Sequence, residues 1–312
     1  MSTARTWLRR ALQVLGLAAA AWYLIHPGEV HRAELAAVPV RIRMVPLLAA
    51  SALTVATWFL LVRAWAASLR WWNQQLPLTQ AVRIWFLTNL SRFVPGGFWQ
   101  FAHLTAEAVG ARISPVAAAG AVLFQQLVLL GTGLVLTATL APVLPLPALG
   151  DASPGTVLAL TSLGVVAVII LLPVVAPALE RLTTRLLRRE VAWPVVERGA
   201  LSAHVAALVL PWLAYGVAFW LFGLALLGPE APRLPVAAAA FIASYVAGIV
   251  SVFAPGGIGV REAALVALLA PATGPAAALL LAIASRLWLV GLELLTALGV
   301  LVWHRRGVTP TE

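Results

Sequence analysis

The chain contains no cysteine and no lysine, and it carries little charge of either sign. The first absence excludes disulfides, thiolate metal sites and cysteine nucleophiles. The second leaves arginine as the only basic residue besides histidine; with the abundant alanine it reads as compositional bias rather than mechanism. Charged residues fill 10% of the 312 positions, against roughly 25% in an ordinary soluble domain. Hydrophobic residues fill 62%, and the mean hydropathy is +0.96. No water-soluble fold of this size hides so much apolar surface, so the bilayer is the solvent. There is no P-loop, no convincing nucleophile–base pair and no HExxH-like spacing, and the five histidines, His26, His31, His103, His204 and His304, are scattered. No catalytic residue, metal ligand or cofactor is assigned, and the chain is not read as an enzyme.

What the chain does have is arginine and long apolar runs. A net charge of +10 would suggest nucleic acid in a soluble protein. Here the arginines sit mostly between apolar segments, so they read as topology signals and headgroup contacts, and no nucleic-acid partner is expected. A crossing helix needs about 20 apolar residues. The candidates are Ala11–Ile25, Val45–Ala67, Val116–Leu140, Thr156–Leu179, Ala200–Leu227 and Ala276–Trp303. Arg5, Arg9 and Arg10 precede the first of these, as in a signal peptide, but only Tyr23, His26 and Pro27 stand where a cleavage site belongs. It reads as an uncleaved span.

Arginine placement orients the rest. Arg181, Arg185, Arg188, Arg189 and Arg198 make the segment at about 180–198 cytoplasmic, with both termini. The 141–155 connection holds no arginine and is expected outside. The 27–44 connection fits poorly: it should be external, yet it holds Arg32, Arg41 and Arg43. Counting crossings then forces Leu78–Arg112 to begin and end inside, and Leu234–Ala272 to begin and end outside. Each is a hairpin with Pro-Gly-Gly at its middle.

The hairpins are copies. A shift of 160 residues aligns Pro95-Gly96-Gly97 with Pro255-Gly256-Gly257, Ser91 with Ser251 and Phe93 with Phe253. Without a gap it also aligns Pro115 with Pro275, Leu127 with Leu287 and Gly131 with Gly291. The expected fold is therefore an all-α integral membrane protein, one transmembrane domain over 1–312. It has about six full spans and two broken re-entrant helical hairpins in an inverted-topology repeat (repeat 1 about 78–140, repeat 2 about 234–303), as in many transporters.

Proline ends a helix and glycine permits backbone angles that others cannot take. Freed backbone groups in lipid cost several kcal/mol each, so such breaks belong against protein or a wet cavity. The restarted helix points its positive end there, which suits an anionic headgroup. A structural kink satisfied by neighbouring helices explains the same residues. Around the second break stand Gly259, Arg261 and Glu262; Arg286 and Glu293 lie deep in the last span, two turns apart. Glu262 with Arg286 is the expected pair. Around the first break stand Asn89, Arg92 and Gln100, with Gln126 at the position matching Arg286. Gln100, His103 and Glu107 share one helical face. Arg63 reads as a snorkelling residue.

The run from Val252 to Ala264, VFAPGGIGVREAA, followed by a span with Arg286, resembles the transmembrane region of the lysylphosphatidylglycerol synthase/flippase family. The stretch from Asn89 to Gly97, followed by Ala102–Gly110, resembles the matching N-proximal motif, and the likeness covers about 8–303. It departs from the glycine-rich form in the first repeat, where Phe98, Trp99 and Gln100 replace Ile258, Gly259 and Val260. The resemblance implies a bacterial inner-membrane, lipid-translocating module. Full-length members add a cytoplasmic aminoacyltransferase domain; this chain stops at Glu312, and the expectation is a flippase-like part without it.

Three readings follow. The first is a flippase-like transporter of an amphipathic, anionic or phosphate-bearing lipid, held by the two breaks with Arg261, Arg286 and Arg92. The second is a non-transporting membrane partner of an envelope lipid or glycan synthesis enzyme. The third, an intramembrane enzyme, has no residue constellation behind it. Expected partners are membrane lipids, with a second copy of the chain or an envelope-synthesis enzyme as protein partners.

Overall fold

The computed structural model describes residues 38–89, 99–144, 198–251 and 257–307, with isolated positions at Thr156, Ala159, Leu163, Arg181 and Arg185. Among the described residues every regular element is helical. The α-helices are α1 (Met44–Ser68), α2 (Leu78–Asn89), α3 (Trp99–Gly110), α4 (Pro115–Leu140), α5 (Arg198–Leu227), α6 (Leu234–Val250), α7 (Val260–Thr273) and α8 (Pro275–Gly307). Met44–Trp72, Pro115–Val143, Gly199–Glu230 and Pro275–His304 are long and apolar enough to cross a membrane. The expected span Ala11–Ile25 lies outside the described residues, as does Thr156–Leu179 apart from three isolated positions.

The two copies have one plan. Helices α2, α3 and α4 run short, short, long, and α6, α7 and α8 repeat the order. The prolines aligned by the 160-residue shift, Pro115 and Pro275, each open the long helix of their copy. There proline loses nothing, because its missing N–H would have no partner in the first turn. Ser114 caps α4 by accepting a hydrogen bond from the Ala117 N–H at 3.3 Å.

The copies pack by exchange. Each hairpin's first arm lies on the long helix of the other copy: α2 on α8, and α6 on α4. Elsewhere α1 lies along α5, α5 on α6, α6 on α7, α7 on α8 and α3 on α4. These contacts rely on small residues, as apolar helices in lipid require. A Cβ on Gly133 of α4 would stand 2.7 Å from the Trp212 ring and 2.9 Å from Val246 of α6. A Cβ on Gly216 of α5 would stand 2.6 Å from the Ala238 Cβ of α6. The outward faces stay apolar, with Leu127, Leu134, Leu213, Leu287 and Leu295 exposed, as lipid-facing helices require.

The segment before α1 explains the misplaced arginines in part. A helix end leaves its last carbonyls without intrahelical partners. The Arg43 N–H donates to the Ala225 carbonyl at 2.9 Å, and the Arg41 N–H to the Leu226 carbonyl at 3.2 Å. The Arg43 guanidinium adds a bond to the Leu224 carbonyl at 3.2 Å. Arg43 therefore serves the negative end of α5, where a cation is favoured. Gly228 completes this join: its φ is +60°, and a Cβ there would fall 1.6 Å from an Arg43 guanidinium nitrogen. Gly228→Ala should lower stability by about 1–2 kcal/mol from the left-handed backbone alone, and further as Arg43 is displaced. Thermal unfolding in detergent measures this, and Arg43→Ala in the same background should then add little.

Candidate functional site

The second break begins where α6 ends at Val250 and finishes at Val260, the first residue of α7. Pro255 and Gly256 lie outside the described residues; Gly257 does not. Gly257 has a φ of +69°, and a Cβ on it would stand 2.8 Å from the Gly248 Cα and 3.1 Å from the Gly248 carbonyl oxygen. Conformation and space both demand glycine here. The close approach of Gly248 and Gly257 brings the start of α7 against α6. Gly259, at φ +85°, then caps α7.

Because α7 starts three residues after Gly257, Arg261 and Glu262 fall at its second and third positions. Glu262 reaches back: one carboxylate oxygen accepts from the Gly259 N–H at 2.7 Å. That satisfies one open donor of the helix end and puts negative charge at its positive pole. The other oxygen lies 3.5 Å from an Arg286 guanidinium nitrogen on α8, with both side chains largely buried. The pair read from the sequence thus joins the second hairpin to the last span.

Arg261 turns the other way and is 6% exposed. Its guanidinium lies 4.8 Å from the Tyr245 ring centroid and 4.9 Å from that of Phe241. Phe241, Tyr245 and Gly248 stand at i, i+4 and i+7 on α6, so one helical face supplies two cation–π partners and the gap for the incoming backbone. Sequence reasoning missed Phe241 and Tyr245. Their spacing was visible, but an aromatic pair on an apolar helix reads as core packing until its partner is known.

At the first hairpin the described residues of α2 reach Asn89 and those of α3 begin at Trp99. Arg92, Pro95, Gly96 and Gly97 lie outside the described residues. The two flanking amides meet: Gln100 donates through its side-chain nitrogen to the Asn89 side-chain oxygen. Asn89 donates in turn to a carboxylate oxygen of Glu293 on α8. Glu293 is fully buried. The two charges on α8 serve different hairpins, Arg286 the second and Glu293 the first. They lie seven residues apart, about 10 Å along the axis. Both fall well inside the span Pro275–His304.

Two contacts set the rotation of α8. Trp288 stacks on Phe222 of α5 with ring centroids 4.6 Å apart. Its indole N–H donates to the Ser51 hydroxyl of α1 at 3.0 Å. Gln126 is half-buried on α4, and its neighbour Gln125 is the one turned inward, donating to the Leu61 carbonyl at 3.4 Å. His103 and Glu107 are both half-exposed, 3.7 Å apart, three and seven residues beyond Gln100.

Two charged side chains of one apolar helix, Arg286 and Glu293 of α8, thus reach the two hairpins, Arg286 the second and Glu293 the first. A family model described as the lysylphosphatidylglycerol synthase TM region matches residues 11–299. The chain belongs to this family. No curated protein and no solved structure matches it. The match takes in both hairpins and α8 as far as residue 299.

Removing one partner of a buried ion pair leaves a stranded charge, at a cost of about 3–5 kcal/mol. Glu262→Gln and Arg286→Gln should each destabilise the protein strongly. The double variant should be much less unstable than their sum, with a coupling of about 1 kcal/mol or more. Denaturant titration of the four proteins in one detergent measures it; additive losses would show that the two residues act apart.

Proposed function

We propose that this membrane protein moves an anionic, phosphate-bearing lipid between leaflets, as the flippase-like part of its family. The observation that carries the reading is the pair of arginines, Arg261 and Arg286, held in the apolar interior at the restart of a broken helix. An ionised group inside a membrane segment is costly and marks a pathway or a partner. Arginine offers a planar fork of donors that suits phosphate oxygens, and the start of α7 adds a positive helix end. The lipid tails stay in hydrocarbon while the headgroup passes along the polar residues between the two hairpins.

In this reading Asn89, Gln100, Gln126 and Glu293 line the half of the path served by the first hairpin, with Arg92, Pro95, Gly96 and Gly97 at its tip. Gly257, Gly259, Arg261, Glu262 and Arg286 line the other half, with Pro255 and Gly256 at the second tip. The hairpins enter from opposite faces, the termini are cytoplasmic and the membrane is the bacterial inner membrane. One copy rocks against the other about α8. The cationic side chains on the path, rather than a reacting group, set what it does, so the chain acts as a transporter and not as an enzyme.

The test is reconstitution in vesicles with fluorescent phosphatidylglycerol, reading the fraction that escapes an external quencher with time. Wild type should exchange label faster than protein-free vesicles. Arg261→Gln should be about tenfold slower or more, as losing one charge-assisted hydrogen bond of about 1.5 kcal/mol implies. Exchange no faster than in empty vesicles, for every phosphate-bearing headgroup tried, would overturn the reading.

A further inference from the structure

The first hairpin has a second polar feature at its open end, away from the break. A cavity of about 620 Å³ lies between the start of α2 and the end of α3. Arg83 and Gln80 line it from α2, and Arg112, Gly110 and Glu107 from the α3 side. Two cations from separate elements thus face one concavity. Glu107, the acidic residue among them, stands 3.7 Å from His103.

Arg112 occupies an unusual place. The Ile113 N–H donates to the Ala108 carbonyl and the Arg112 N–H to the Val109 carbonyl, both at 3.0–3.1 Å. This is the double bond pattern that closes a helix through one left-handed residue, a position that glycine takes most often. Here that residue is arginine, at φ +68°. Gly110 stands two positions earlier, inside the helix, where no left-handed angle is needed. A non-glycine residue kept in the left-handed region is a mark of functional constraint when its side chain has a use. The chain ends α3 with an exposed arginine that lines the cavity, where a glycine would close the helix at lower cost.

We propose that this cavity is a phosphate-binding site at the membrane surface, with Arg83 and Arg112 as its ligands. Two guanidinium forks fit a phosphate monoester or diester, whether it belongs to a lipid headgroup or to a free anion. The site is separate from Arg261 and Arg286 and needs no movement of lipid across the membrane, so it stands or falls apart from the transport reading.

The test uses the full chain in phosphatidylcholine nanodiscs, with dihexanoyl phosphatidic acid as probe and inorganic phosphate as competitor. Native mass spectrometry reads the bound probe, and thermal unfolding reads stability. Arg112→Gly should keep or raise the unfolding midpoint, because glycine fits the left-handed position, and should weaken binding of one probe molecule by about tenfold. Arg83→Gln should weaken the same event. Arg63→Gln, at an exposed arginine of α1, should leave it unchanged, and Arg261→Gln should keep it while altering any second event. Displacement by inorganic phosphate at matched concentration marks a free anion as a sufficient ligand; resistance marks a headgroup held together with its tails. Binding to Arg112→Gly and Arg83→Gln as tight as to wild type would overturn the proposal, as would an equal loss in Arg63→Gln.

Discussion

A helix that stops and restarts leaves backbone donors and acceptors without intrahelical partners, a cost that grows wherever water is excluded. Glu262 answers it at the second break. One of its oxygens takes the N–H of Gly259, and the other holds Arg286 of α8. A single carboxylate therefore caps the restarted helix and fixes the hairpin to the last span. The first hairpin is tied by side chains alone: Gln100 donates to Asn89, and Asn89 donates to a carboxylate oxygen of Glu293. Both solutions converge on α8. Its rotation is set by Trp288 through Phe222 and Ser51, which ties the polar breaks to the packing of α1 and α5.

The copies share a plan yet differ where chemistry enters. Under the 160-residue shift Glu293 corresponds to Gly133. At Gly133 the hairpin arm of the second copy packs tightly, with Trp212 and Val246 against the glycine. At Glu293 the hairpin arm of the first copy is met by a buried acid. One crossing of the pseudo-symmetric pair is closed by van der Waals contact, and the other by a polar bond. Function can then reside in the difference while the shared plan supplies the scaffold.

Much of this could be read from residue order. Pro115 and Pro275 marked the starts of the long helices, because proline at a first helical position is a local signal. Glu262 and Arg286 could be paired, because an acid in the first turn after a break and an arginine deep in the next span have few other uses. Glu293 could not be placed. Its partner is 204 residues away on the other copy, and no local pattern encodes an exchange of hairpins. Phe241 and Tyr245 stayed hidden for a related reason: on a helix apolar all round, periodicity does not say which face meets a cation. Arg43 misled a charge count because, to such a count, an arginine bound to the end of α5 looks the same as one facing headgroups.

The bond between Asn89 and Glu293 also bears on how the chain is made. The first hairpin leaves the ribosome some 200 residues before the helix that completes it. At about 5–20 residues per second, that is a wait of about 10–40 s. During that interval Asn89 and Gln100 have each other but not the acid. The bond that ties the first hairpin to α8 therefore forms only once the final helix has been made, so this part of the polar interior is completed across the two copies rather than within one.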